Sequence, residues 1–168
     1  MDEQKSCCGG AAKKPLWWKT YYPLLLIVGL IALVSFKGAV TPHDWMMHFM
    51  AGFFIVFSFF KLLDLRGFAD AFAGYDLLAK RCKSYGLIYP FLELALGLAF
   101  LFGYELRAAL GASIILLGFG TIGVIQAVSS GQQIRCACLG TVLNLPMSKI
   151  TLIENSVMIA MSAWMLMA

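Results

Sequence analysis

The chain predicts an all-α, polytopic membrane helical bundle, on three observations. Hydrophobic residues make up 61% of its 168 residues, charged residues only 13%, and mean hydropathy is +0.82, which together exclude an ordinary water-soluble domain. The apolar residues gather into runs close to the roughly 20 residues a helix needs to cross hydrocarbon, with room for five such spans. The connections are short, so any function must sit within the bundle or on its loops. The net charge of +4 does not indicate nucleic acid, because the 13 Lys and Arg are spread over short loops. They read as topology signals, and the partner they imply is the lipid bilayer.

Residues 1–15 are a polar tail with Cys7 and Cys8, too poor in apolar side chains to fold alone. This tail lacks the apolar core of a secretory signal, so the run that follows, 16–36, is read as a retained transmembrane helix. Trp17, Trp18, Tyr21 and Tyr22 form an interfacial belt at its start, with Pro23 tolerated in its first turn. The second span, 42–63, has a clear beginning: Thr41 as N-cap, Pro42 at the first helical position and Asp44 at the third.

The stretch 65–83 is too charged to span. It places Phe68, Phe72, Tyr75, Leu78 and Cys82 on one stripe, with Asp70, Asp76, Lys80 and Lys83 off it, which predicts a surface helix near 67–83. The third span, 85–104, contains Pro90 and Glu93 in an otherwise apolar run. The fourth, 107–128, carries Gly111, Gly118, Gly120 and Gly123, small residues that permit close helix packing. The fifth, 148–167, opens with Thr151, Glu154 and Asn155.

Between the last two spans lie Cys136 and Cys138, separated by one residue and followed by Gly140 and Pro146. Helical neighbours two apart point away from each other, so the two thiols cooperate only in extended or turned backbone, which the glycine and proline favour. A disulfide between them would be strained and readily reduced. Two thiolates on one soft metal ion suit the spacing equally well. A pair of inert interfacial cysteines is the structural alternative.

On the second span His43, Met46, Met47 and Met50 share one face. Imidazole and thioethers suit Cu(I), although methionine is also a common filler of cores. His48 points elsewhere. Glu93 is the most informative intramembrane residue, since a carboxylate in hydrocarbon normally has a partner or a function. Lys61 lies near the same end of the second span, and Glu154 and Asn155 are close in depth. The group suits either a proton or ion relay, or a structural tie between helices.

With five spans, the tail, the loop after span two and the loop after span four share one side of the membrane. Cys7, Cys8, Cys82, Cys136 and Cys138 are all there, and so are all the lysines and arginines except Lys37 and Arg107. The positive-inside rule makes that side cytoplasmic and the membrane the cell (inner or plasma) membrane.

Phe60-Lys61-Leu62-Leu63-Asp64, the Phe-Ala surface segment with Tyr75, Tyr89-Pro90-Phe91-Leu92-Glu93-Leu94, Cys136-Ala137-Cys138-Leu139-Gly140 and Asn155 together resemble the methylamine-utilisation MauE proteins of the DoxX-like membrane superfamily. The resemblance covers 42–168 and implies a four-helix bundle similar in plan to vitamin K epoxide reductase, with a part in thiol redox work or maturation of exported proteins. Residues 16–36 are then one helix added at the front. The expected role is that of an accessory protein rather than a stand-alone enzyme: Cys136 and Cys138 exchange disulfides with a thioredoxin-like partner, with Cys82 resolving. A quinone is compatible as acceptor, but no residue pattern identifies one. The alternative is soft-metal handling, with a metallochaperone as partner, Cys7 and Cys8 delivering to Cys136 and Cys138, and the methionine face on the exit side.

Overall fold

The computed structural model describes residues 17–74, 76, 79, 81, 83–129 and 149–167. These form α1 (Trp17–Gly38), α2 (Pro42–Leu63), α3 (Leu65–Ala73), α4 (Lys83–Phe102), α5 (Leu106–Ser129) and α6 (Lys149–Met167). Within them Pro42–Leu63, Ser84–Phe102 and Leu106–Gln126 are long and apolar enough to cross a membrane, and Tyr22–Gly38 and Leu152–Met167 are shorter apolar helices. The fold is the polytopic helical bundle that composition predicts. Its outer face is apolar: Leu33, Phe36, Phe59, Phe102, Ile115 and Trp164 are all exposed, as lipid-facing side chains should be.

Two helix pairs build the bundle. α4 packs along α2, α6 packs along α5, and a narrower seam joins α4 to α5, while α1 covers α2 and α3 lies across α4. The main core runs between α2, α4, α5 and α6 through Met50, Phe54, Phe57, Phe100, Leu110 and Met158. The Phe54 and Phe100 rings stack across the α2–α4 crossing at 5.9 Å. Polar side chains hold α5 to α6: the hydroxyls of Ser113 and Ser162 lie 3.0 Å apart, each also within 2.8 Å of a carbonyl of its own helix.

The start of α2 is built as its sequence dictates. Thr41 Oγ1 accepts from Asp44 N–H at 3.1 Å, and Asp44 Oδ2 accepts from Thr41 N–H at 3.0 Å, a complete capping box with Pro42 at the first helical position. Thr41→Ala is expected to remove about 1 kcal/mol of stability, read as a lower midpoint in detergent unfolding followed by helical circular dichroism.

Several local expectations are corrected. Pro23 stands inside α1, which begins at Trp17, rather than in its first turn. A membrane helix tolerates this where neighbouring groups satisfy the freed carbonyl. Of the aromatic belt, the Tyr22 side chain is described and is exposed. The surface helix ends at Ala73, not near 83, because Gly74 caps it by donating to the carbonyls of Ala71 and Phe72. Asp76, expected on the polar face, is buried, and its Oδ1 accepts from Ala79 N–H at 2.9 Å. An aspartate that can cap a following turn is drawn inward by that bond.

A further correction concerns glycines. Gly111 and Gly118 on α5 face open space, and Gly120 meets only the Tyr89 hydroxyl. The tight crossings fall elsewhere: a Cβ at Gly97 would lie 2.8 Å from Ile55 Cγ1, and one at Gly52 would lie 2.8 Å from Ile31 Cγ2. These two glycines let α4 and α1 approach α2.

Candidate functional site

A buried ion pair at the α3 end of the bundle is the main polar feature of the described residues. Lys61, in the last turn of α2, sends its ammonium to Glu93 in the middle of α4, with Nζ 2.7 Å from Oε1 and 2.5 Å from Oε2. Both side chains are less than a tenth exposed. Both carboxylate oxygens are therefore engaged by one cation, which offsets the cost of placing each charge in hydrocarbon.

Aromatic rings close over this pair. Nζ lies 5.5 Å from the Phe68 ring centre and 5.1 Å from that of Tyr89, within cation–π range. Phe68 and Phe72 come from α3 on adjacent turns of one face, and Tyr85 and Tyr89 from α4 in the same way, so the two stripes stack on each other. The Phe72–Tyr89 centroids are 4.6 Å apart and the Phe68–Phe72 centroids 5.1 Å. Gly86 makes the α3–α4 approach possible, since a Cβ there would sit 3.3 Å from the Ala69 backbone. One turn before Lys61, the fully buried Ser58 Oγ has no hydrogen-bond partner among the described residues.

The aromatic cluster reaches further. It also contains Ala79, beyond the end of α3, and Val124 on α5, with Leu152 of α6 packed against it. Val124 and Leu152 are on the helices that lead into and out of the segment carrying Cys136 and Cys138. One apolar cluster thus gathers the aromatic rings of the ion-pair cage, Ala79, and Val124 and Leu152 from the two helices that bound residues 130–148.

Cys7, Cys8, Cys82, Cys136 and Cys138 themselves lie outside the described residues. Asn155 donates to Thr121 Oγ1 at 3.3 Å and so ties α6 to α5, rather than joining Lys61 and Glu93. Glu154, its neighbour, is partly buried. His43 is exposed, whereas Met46 and Met47 pack against the main core and Met50 is fully buried within it, where its sulfur lies 3.9 Å from the Ser162 hydroxyl. The face shared by these four residues is therefore a core face at its inner end. No group of three or more His, Cys, Asp and Glu able to hold a metal ion is present among the described residues.

Sequence reasoning paired Lys61 with Glu93 by depth and missed what surrounds them. Tyr89 stands four residues before Glu93, on the same helical face, a signal that was open to reading. Asp76 and Ser58 gave no such signal, because a buried aspartate and a solvated one look alike in sequence.

The family model for the methylamine utilisation protein MauE matches residues 42–168. No curated protein and no solved structure matches the chain. The matched segment begins at the first residue of α2 and takes in α2 to α6, including the ion-pair cage and the cysteine segment. Residues 17–38, the α1 helix, precede it. The chain is a multi-pass membrane protein associated with methylamine utilisation, and it belongs to the MauE family.

Proposed function

We propose that this MauE-family protein is a membrane accessory factor that performs thiol–disulfide exchange through Cys136 and Cys138. The observation that carries the reading is the gathering of the Lys61–Glu93 cage, Ala79 and the two flanks of the cysteine segment on one cluster. Residues 42–168 are the redox domain, 16–36 an added helix and 1–15 a tail. With eleven of the thirteen Lys and Arg on the cysteine side, that side is cytoplasmic and the membrane is the cell membrane.

In the exchange, a thiolate of the pair attacks one sulfur of a thioredoxin-like partner's disulfide, and the partner's other sulfur leaves as thiolate. The second cysteine, or Cys82, then attacks the mixed disulfide and releases the partner as dithiol. Two electrons pass to the partner, two protons follow, and the chain is left oxidised; the reverse sequence with a second thioredoxin-like dithiol restores it. A strained Cys136–Cys138 ring would be readily reduced by the second dithiol, which suits a transient carrier.

Cys136→Ser and Cys138→Ser are each expected to abolish complementation of a deletion strain, while the Cys7/Cys8 double serine variant retains it. A single-cysteine variant that complements fully would remove the exchange reading. Loss of complementation and of Cu(I) binding on changing Cys7 and Cys8 alone would replace it with soft-metal delivery. An impermeant thiol reagent is expected to leave Cys136 and Cys138 unlabelled in intact cells, and labelling from outside would move the chemistry to the exported face.

A further inference from the structure

Along the middle of α2, the second half of α1, α2 and the end of α4 border a groove of about 490 Å³, within the range of small-ligand sites. Its walls are aliphatic, including Leu30 and Val34 of α1, Ile55 of α2 and Leu101 of α4. Two side chains break that pattern, Ser35 and His48.

Ser35 is only 5% exposed, and neither its side chain nor that of His48 makes a hydrogen bond among the described residues. Two other buried helix serines find partners, Ser113 on the Leu110 carbonyl and Ser162 on that of Met158, whereas Ser58, like Ser35, has none among the described residues. An unmet hydroxyl in an apolar surround costs free energy unless a ligand supplies the missing bond. On the α1 side Gly38 leaves about one methyl group of space beside the His48 imidazole, since a Cβ there would meet Nδ1 at 3.6 Å, an ordinary van der Waals contact. No Lys, Arg, Asp or Glu lines the groove, so a phosphate head would have no counter-charge.

We propose that this groove binds an uncharged membrane amphiphile, its chain lying along Leu30, Val34 and Leu101 and its carbonyl- or hydroxyl-bearing head hydrogen-bonded by Ser35 and His48. An acylglycerol and a lipid-soluble quinone share that chemistry. The site is independent of the thiol reading: His48 and Lys61 are thirteen residues apart on one helix, about 20 Å of rise. A ligand here does not touch the ion-pair cage.

The test is the thermal midpoint of the detergent-purified full chain with three probes: dioleoylglycerol, decyl-benzoquinone and dioleoyl phosphatidic acid. At saturation one neutral probe is expected to raise the midpoint by about 5 °C, and the anionic lipid is expected to leave it unchanged. Whichever neutral probe acts identifies the source of the ligand. Ser35→Ala and His48→Phe should each abolish the shift. Val34→Trp should do the same by filling the mouth; Val34 is 65% exposed on the outer face, so this variant keeps the test decisive if the polar variants fold poorly. Equal shifts from all three probes, no shift from either neutral probe, or a shift that survives in the folded variants overturns the proposal.

Discussion

Glu93→Leu is expected to cost about 3–5 kcal/mol of stability, the largest loss of any single side-chain truncation in this bundle, because it leaves the Lys61 ammonium buried without its counter-ion. Lys61→Met should cost a similar amount for the mirror-image reason. The double variant Lys61→Met/Glu93→Leu is expected to recover most of the loss, since two apolar side chains of similar volume can pack under Phe68 and Tyr89 with no charge to solvate. Denaturant unfolding of the four proteins in one detergent gives the coupling energy directly. Additive losses would mean that the two groups are stabilised separately. Complementation by the double variant also separates a structural tie from a working pair: a stable bundle without activity would assign the ion pair a part in the chemistry.

The second large effect belongs to Gly97. Its missing Cβ leaves room for α2, and a substituent would stand 2.8 Å from Ile55 Cγ1, 3.0 Å from the Ile55 backbone nitrogen and 3.1 Å from Phe54 Cβ. The first of these atoms can rotate away; the backbone nitrogen cannot. Gly97→Ala is expected to cost about 1–3 kcal/mol through overpacking, and Gly97→Leu to separate α2 from α4 and lose the ordered bundle. Gly118→Ala is the control. Nothing lies within 4 Å of a Cβ there, so the better helix propensity of alanine should leave stability unchanged or raised by up to about 1 kcal/mol. Losses of equal size at the two positions would show that glycine acts through its backbone freedom rather than through the helix crossing.

The contrast between these glycines marks how far the sequence could be read. Helix positions and the α2 capping box followed from apolar runs and from Thr41-Pro42-His43-Asp44, which are local signals with local causes. The pairing of Lys61 with Glu93 followed from depth alone, because a bilayer leaves few ways to place a charge. Which glycine sits at a crossing depends on how the helices are rotated about their axes. Where lipid and core are both apolar, a helix carries little polar contrast between its faces to reveal that rotation, so Gly111 and Gly118 of α5 read like the crossing positions that Gly97 and Gly52 occupy. The inward turn of Asp76 was hidden for a related reason: α3 ends at Ala73, and beyond it helical periodicity no longer predicts which way a side chain faces.

The ion pair also sets a schedule for biosynthesis. Lys61 and Glu93 are 32 residues apart, so at roughly 5–20 residues per second the lysine leaves the ribosome about 2–6 seconds before its counter-ion exists. During that interval an unpaired ammonium has to stay out of hydrocarbon. Its place in the last turn of α2 lets the long side chain reach the headgroup region while the helix is already inserted. In the finished bundle the ammonium is turned inward to Glu93 of α4, under the Phe68 ring of α3. The helix that carries the acid thus licenses burial of the base, and a nascent chain cut off before Glu93 would hold α2 higher in the membrane than the complete protein does.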